Sequence, residues 1–208
     1  MFHINKDFPL GNSKVWYNNV NITNTTKLKN YLDELNFERG DYNGRDIRRE
    51  QRWYHKSGTY FNPKWKHYKR WDSYSYDPYL NMIEQRINYF VKYIIKPTEG
   101  WNCNSILINK YSNQSNIIPK HRDSEDIFGD NPTIAIYSIG ASRTIRFTRV
   151  ELDRNVQIKG TDVIDVHLED GSILIMDGTV QKYYVHEILK ETKDIGERYS
   201  LTFRVHKM

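Results

Sequence analysis

The sequence has a single cysteine, Cys103, among 208 residues, so it cannot form an internal disulfide. A chain with no disulfide framework is typical of a reducing compartment, which predicts an intracellular protein in the cytoplasm, the nucleus or both. No stretch approaches the roughly 18 consecutive apolar residues of a membrane helix, and residues 1–7 lack the apolar core of a signal peptide. We therefore expect neither a membrane protein nor a secreted one.

Acidic residues are scarce in one part of the chain. The whole sequence carries 31 Lys and Arg against 26 Asp and Glu, and residues 45–71 hold nine of the basic residues with only Asp46 and Glu50 as acids. Aromatic residues alternate with these cations up to residue 76. Phosphate neutralisation and base stacking need this mixture, which favours nucleic-acid binding. An aromatic-rich hairpin with a solvated basic face remains the alternative.

Helical periodicity occurs only in the first half of the chain. It predicts a helix over residues 24–36 and a second helix from Asp77-Pro78 to Pro97. From about residue 105 onward, short β-rich runs alternate with turn residues, which indicates a sandwich, barrel or jelly roll. These strands are predicted at 106–111, 133–139, 144–150, 162–168, 172–176, 182–188 and 198–205.

One possible metal site combines three residues. His121 and Asp123 are two positions apart, so an extended strand would place them on the same face, and His186 lies at the end of a later predicted strand. Two histidines and one carboxylate form the ligand set of non-heme Fe(II) oxygenases. A single His-x-Asp pair is common by chance and would more often lie in an exposed loop.

The run from Arg198 to Arg204 carries a second signal. Strand alternation points Arg198, Ser200, Thr202 and Arg204 to one side. Two inward guanidinium groups need anions, supplied either by protein carboxylates or by a small dicarboxylate. Arg204 could instead hold Asp123 in orientation. Polar groups at Asn109 and Tyr111 on a neighbouring strand also need partners.

Taken in order, these residues resemble the AlkB family of Fe(II)- and 2-oxoglutarate-dependent nucleic-acid demethylases. The resemblance runs from Asn104 to the end, and more weakly back to residues 48–54, where Arg48 stands in place of the family's usual proline. Ser200 stands where the family often has asparagine. The matching set is Asn109-x-Tyr111, His121-x-Asp123-x-Glu125, Ser138-Ile139-Gly140, His186 and Arg198-x-Ser-Leu-Thr-Phe-Arg204.

The resemblance implies roles for the residues of the predicted core. Fe(II) would be bound by His121, Asp123 and His186. The cosubstrate 2-oxoglutarate would have its distal carboxylate held by Arg198 with Tyr111, and its metal-proximal end by Asn109 and Arg204, with Ser200 and Thr202 beside it. The three metal ligands and Arg204 are the expected catalytic residues. With O₂ as the second cosubstrate, an N-methyl group would be hydroxylated, releasing formaldehyde, succinate and CO₂.

The resemblance also implies a nucleic-acid substrate and a fold. Glu125 would select adenine or cytosine lesions such as 1-methyladenine and 3-methylcytosine, and Arg49, Trp53 and Tyr60 would contact base and phosphate. The expected fold is α+β and mainly β: a double-stranded β-helix, or jelly roll, with N-terminal supporting helices and a hairpin substrate lid. We expect one monomeric domain over 1–208, with helices and lid in about 1–100 and the catalytic core in about 104–208.

Three alternatives stay open. The same iron chemistry could act on RNA or tRNA bases or on a protein side chain, and nothing in the sequence chooses DNA over RNA. The chain could be a non-catalytic nucleic-acid-binding module. A metal-free β-sandwich would require protein acids to satisfy both arginines of the last strand.

Overall fold

The described residues form two large antiparallel sheets, a separate pair of short strands (Asp41–Tyr42 with Arg45–Asp46) and four helices. A computed structural model describes residues 6–7, 13–42, 45–57, 73–95, 100–153, 156–177 and 179–206. The helices are α1 (Thr25–Asp33), α2 (Pro78–Ile95), α3 (Glu125–Phe128) and α4 (Val180–Tyr183). The strands are β1 (Lys6–Asp7), β2 (Lys14–Asn19), β3 (Asp41–Tyr42), β4 (Arg45–Asp46), β5 (Glu50–His55), β6 (Ser105–Tyr111), β7 (Ile118–His121), β8 (Ile134–Gly140), β9 (Arg143–Asp153), β10 (Val156–Leu168), β11 (Ser172–Asp177), β12 (Tyr184–Ile188) and β13 (Arg198–Arg204).

The two longer helices begin where capping residues satisfy their first free N–H groups. The side chain of Asn24 accepts a hydrogen bond from the backbone N–H of Lys27 at 2.8 Å, and that of Asp77 accepts one from Leu80 at 2.8 Å. Pro78 takes the first position of α2, where no N–H is needed. Both predicted helices are confirmed, although α1 ends three residues and α2 two residues before the predicted end. Neither α2 nor any other helix of the described residues is long and apolar enough to cross a membrane.

The strands form the predicted jelly roll. The larger sheet has the order β1-β2-β11-β8-β13-β6-β5, and the smaller one has the order β10-β9-β12-β7. Strand alternation gives the larger sheet two different faces: Ile106 and Ile108 of β6 pack into the core beneath the helices, whereas Tyr111 packs into a second core that includes Phe147 of the smaller sheet. The predicted double-stranded β-helix is confirmed, and its interior lies between the two sheets.

Two parts of the sheet were not predicted. Strand β2, from the N-terminal region, pairs with β11, and β5 pairs with β6, so the first hundred residues contribute strands to the larger sheet as well as helices.

The predicted strand 182–188 is wrong at its start, because Lys182 belongs to the helical turn α4 and β12 begins at Tyr184. That turn buries Gln181, whose side chain accepts a hydrogen bond from the backbone N–H of Asp123.

Candidate metal centre and cosubstrate cavity

A cavity of about 590 Å³ opens between the two sheets. Side chains from β6, β7, β12 and β13 line it, together with residues before β5 and in α3. Of the predicted site residues, the cavity brings together His121, Asp123, His186, Arg204, Asn109, Tyr111, Arg198, Ser200, Thr202, Arg49 and Trp53. Glu125 is exposed and does not line it, and Tyr60 lies outside the described residues.

Three of these side chains form a group that could hold a metal ion. His121 ends β7 and is the direct cross-strand partner of His186 in β12, so the two rings lie 4.2 Å apart between centroids. Asp123 follows two residues after His121, and its Oδ1 lies 4.0 Å from Nε2 of His121. One ligand atom from each of the three residues lies within 4.8 Å of the others. His121 donates from Nδ1 to the carbonyl of Pro119 at 3.0 Å, which leaves the lone pair on Nε2 for a metal.

Arg204 fixes the carboxylate of this group. Its Nε and Nη2 donate to the two oxygens of Asp123 at 3.0 and 3.1 Å, a bidentate pair in a buried site. Burial alone would raise the pKa of Asp123, but the charge of Arg204, followed by the two neighbouring imidazoles, lowers that pKa to about 2. Asp123 is therefore an anion in a fixed orientation at any ordinary pH.

Both imidazoles are held in their neutral form. Burial is the largest cause, and it lowers the pKa of His121 below its usual value and that of His186 to about 3, where the neighbouring His121 adds to the effect. Nδ1 of His186 is buried and has no hydrogen-bond partner among the described residues. Neutral nitrogen ligands beside a carboxylate are the form that binds a divalent metal.

The deep end of the cavity carries positive charge without a matching acid. Arg198 is 1% exposed and donates to the hydroxyl of Ser138 at 2.9 Å, while its Nε and Nη1 have no hydrogen-bond partner in the described chain. No carboxylate of the described residues lies within 4 Å of this guanidinium. Burial, and after it the charge of Arg143, lower the pKa of Arg198. The hydroxyl of Tyr111 is likewise buried without a partner among the described residues.

Asn109 and Ser200 connect the two ends. Asn109 donates from Nδ2 to the hydroxyl of Ser200 at 3.5 Å, and its Oδ1 accepts hydrogen bonds from Arg49 and Gln51. Ser200 and Thr202 point into the cavity from β13, as strand alternation predicts.

The donor set fits both a metal ion and a small dicarboxylate. A dicarboxylate that chelates a metal at the triad would need cationic donors at its far end, and the unpaired N–H groups of Arg198 with the hydroxyl of Tyr111 supply them. Neutral donors from Asn109 and Ser200 lie between those two positions.

Aromatic side chains line another part of the cavity, next to the metal ligands. Trp53 is 3% exposed, and its ring lies 5.2 Å from that of His206, which in turn lies 4.9 Å from Phe128. Phe128 also lies under the guanidinium of Arg204 at 5.1 Å. An aromatic wall beside the metal ligands could accept a flat ring such as a nucleobase.

Sequence reasoning missed several residues of the site. His206 is two positions after Arg204, so the same alternation could have found it. Gln51 stands inside the segment that carries the family resemblance, but its partner depends on pairing with β6. Arg143 is fully buried and donates to the carbonyls of Asn113 and Asn116, and nothing distinguishes it in the sequence from the other 30 basic residues.

Comparison with known proteins identifies the family. The family described as the 2OG-Fe(II) oxygenase superfamily matches residues 20–204. This chain belongs to that superfamily. Its membership confirms the prediction of Fe(II), with 2-oxoglutarate and O₂ as cosubstrates, and the three possible metal ligands agree with it.

Individual relatives confirm the resemblance to AlkB proteins. The chain is 30% identical over 148 residues to the DNA oxidative demethylase ALKBH2 of Arabidopsis thaliana. The aligned region covers 64% of this chain and 46% of that relative. It is 32% identical over 111 residues to the alpha-ketoglutarate-dependent dioxygenase alkB homolog 3 of Homo sapiens, over 53% and 39% of the two chains. The chain thus spans less than half the length of these relatives.

A solved structure shows the same fold. OsALKBH1 superposes with a TM-score of 0.58 and 16% sequence identity over 91% of this chain and 97% of that one. The shared fold therefore includes the N-terminal region as well as the jelly roll.

Proposed function

We propose that this chain is an Fe(II)- and 2-oxoglutarate-dependent dioxygenase that removes N-alkyl groups from bases in DNA, RNA or both. One observation supports this proposal most directly. The same cavity contains two neutral histidines with a carboxylate, and a buried guanidinium that has no acid partner in the described chain. Bases of the 1-methyladenine and 3-methylcytosine kind are the proposed substrates. Relatives named DNA oxidative demethylase support this substrate class.

The chain's own residues would bind and orient the reactants. His121, Asp123 and His186 would hold Fe(II), which with 2-oxoglutarate and O₂ supplies the oxidation of a C–H bond. Arg204 would keep Asp123 ionised and aligned through its two hydrogen bonds. The cosubstrate 2-oxoglutarate would lie between the deep end of the cavity and the metal. It would be held there by Arg198, Tyr111, Asn109 and Ser200, with Thr202 beside them. Hydroxylation of an N-methyl group gives a hemiaminal, which releases formaldehyde and the restored base.

The base would enter from the aromatic side. A methyl group on a base edge is inaccessible inside a duplex, so the base must be flipped out or the strand must already be single. Stacking on Trp53 would offset part of that cost, since a base stacked on an aromatic ring gains about 1–3 kcal/mol. We propose that Glu125 and Tyr60 also contact the substrate. Glu125 is exposed at the start of α3, where a base outside the stack could meet it.

The whole chain is proposed to act as one domain. Strand β5, which carries Trp53, pairs with β6 in the larger sheet, and His121 and His186 lie on β7 and β12 of the smaller sheet. The two sheets that enclose the cavity therefore each carry a part of the site. We further propose that the protein acts as a monomer inside the cell.

Formaldehyde release tests this function. Single-stranded DNA and RNA oligonucleotides with 1-methyladenine or 3-methylcytosine would be incubated with Fe(II), 2-oxoglutarate and ascorbate. The wild type should release formaldehyde, His121→Ala should release none, and His167→Ala, which changes an exposed histidine of β10, should match the wild type.

Two other results would change the proposal. If neither oligonucleotide is turned over while 2-oxoglutarate is decarboxylated, the oxygenase stands and its substrate is another base or a protein side chain. If iron binds and decarboxylation is absent, the dioxygenase proposal is contradicted.

A further inference from the structure

The side-chain oxygen of Asn109 lies between two donors from the segment that leads into β5. Nε of Arg49 donates to Oδ1 of Asn109 at 2.8 Å, and Nε2 of Gln51 donates to the same oxygen at 2.9 Å. Gln51 and Asn109 are direct cross-strand partners in β5 and β6, and they are 1% and 2% exposed. Arg49 also reaches the carbonyl of Ile117 at 3.5 Å. The Asn109 amide is therefore held by two residues that precede or begin the strand carrying Trp53.

These two hydrogen bonds decide which end of the amide faces the cavity. A carbonyl oxygen has two lone pairs, and both are used by Arg49 and Gln51. Rotating the amide by 180° would turn its NH₂ group against the donors of Arg49 and Gln51 and leave all of these N–H groups without an acceptor, which is unfavourable in a largely buried site. The NH₂ group of Asn109 is thus directed toward Ser200 and the cavity. A carboxylate in the cavity meets a donor there.

The role predicted for Arg49 from the sequence was contact with base or phosphate. In the structure, Arg49 is half-buried and its Nε is committed to Asn109. Its neighbour Arg48 is exposed. Two adjacent arginines of equal charge therefore differ in burial. Of the hydrogen bonds between described residues, one joins Arg49 to Asn109 and none joins Arg48 to a residue at the cosubstrate end.

We propose that Arg49 and Gln51 are positioning residues for 2-oxoglutarate, acting through Asn109. They fix the Asn109 amide as a donor toward the cosubstrate, so the segment leading to Trp53 helps to set cosubstrate affinity. This inference rests on the proposed function, because it requires 2-oxoglutarate to bind beside Asn109.

Calorimetric titration of 2-oxoglutarate into Mn(II)-loaded protein measures the effect without turnover. Arg49→Met should weaken binding about tenfold, the loss expected for one hydrogen bond that serves a charged ligand. Arg48→Met removes the same charge one residue away and should change the Kd less than about twofold. Arg49→Lys keeps a donor in reach of Asn109 and should recover part of the affinity.

A double-mutant cycle separates positioning from a general structural effect. In the Asn109→Ala background, Arg49→Met should add less than about twofold to the Kd, because the group through which it acts is already absent. In turnover assays, Arg49→Met should raise the KM for 2-oxoglutarate about tenfold with kcat within about threefold of the wild type. An equal tenfold loss in both backgrounds would overturn the proposal.

The same experiment tells a failure of this inference from a failure of the proposed function. A wild-type protein that takes up Mn(II) and binds no 2-oxoglutarate overturns both. A different result overturns only this inference: the wild type and Arg49→Met bind 2-oxoglutarate equally well, and Arg49→Met loses more oligonucleotide affinity than Arg48→Met does. Arg49 is then a nucleic-acid contact.

Discussion

The two ends of the cavity satisfy their charges in opposite ways. At the metal end, the buried carboxylate of Asp123 has a bidentate partner in Arg204. At the deep end, Arg198 has one hydroxyl partner, Ser138. A second buried guanidinium, that of Arg143, lies 5.5 Å from the centroid of the Tyr111 ring, and that of Arg198 lies 5.0 Å from the same centroid. Among the described residues, the charge of Glu191 acts on Arg143, whose pKa it raises against the larger lowering effect of burial.

This difference separates a site arranged by the protein from one arranged for a ligand. A buried ion pair can hold its geometry by itself, whereas a buried cation without an acid partner is costly unless an anion joins it. We therefore expect the metal end to contribute to folding and the deep end to contribute to cosubstrate binding.

The largest expected effect comes from breaking the ion pair at the metal end. Asp123→Ala leaves the Arg204 guanidinium buried without its partner and should lower the free energy of unfolding by about 3–5 kcal/mol. Asp165→Ala breaks a bidentate pair of similar geometry, with Arg146, that lies on the surface, and should cost about 0–1 kcal/mol. Denaturant unfolding of both variants measures the two values. Equal losses would show that burial does not distinguish the pairs.

The neutral histidines make stability depend on pH. The pKa of His186 is about 3 in the folded protein, well below its ordinary value. Between these two pKa values the unfolded chain binds more protons than the folded protein does, so the free energy of unfolding falls as the pH falls. From pH 7 to pH 5, this one group should cost metal-free protein about 2 kcal/mol. His186→Gln should reduce the slope of stability against pH, and the exposed-site variant His167→Gln should retain it. A slope that His186→Gln leaves unchanged would contradict this assignment.

The smallest expected effect is at the deep end, and its sign is the informative part. Arg198→Met removes a buried cation with unsatisfied N–H groups and replaces it with an apolar side chain of similar length. Protein without 2-oxoglutarate should then keep its stability or gain about 1 kcal/mol. Thermal unfolding without cosubstrate checks this, and a loss above about 2 kcal/mol would mean that Arg198 has a structural role.

The sequence was sufficient for the parts of the site that depend on local spacing. A two-residue step was enough to find the pair His121 and Asp123, although β7 ends at His121 and Asp123 lies just beyond it. The inward face of β13 follows from alternation between Arg198 and Arg204. The capping residues Asn24 and Asp77 located the starts of both main helices. Each of these signals involves residues close together in the chain.

The parts that escaped prediction depend on pairing between distant strands. The contact of Arg49 with Asn109 joins residues 60 positions apart, and it exists because β5 pairs with β6 in a particular register. The exposed position of Glu125 depends on how α3 begins, which spacing from Asp123 does not determine. Register and loop geometry arise from packing over the whole fold, so single-sequence patterns do not contain them.

The most direct test of the account is the affinity of 2-oxoglutarate for metal-loaded protein with and without Arg198. Isothermal titration of Mn(II)-loaded wild type, Arg198→Met and the surface variant Arg146→Met would be compared. Arg198→Met should weaken binding about a hundredfold, the loss of about two charge-assisted hydrogen bonds, while Arg146→Met should bind like the wild type. Binding by Arg198→Met within threefold of the wild type would contradict the claim that this cavity is built for the cosubstrate.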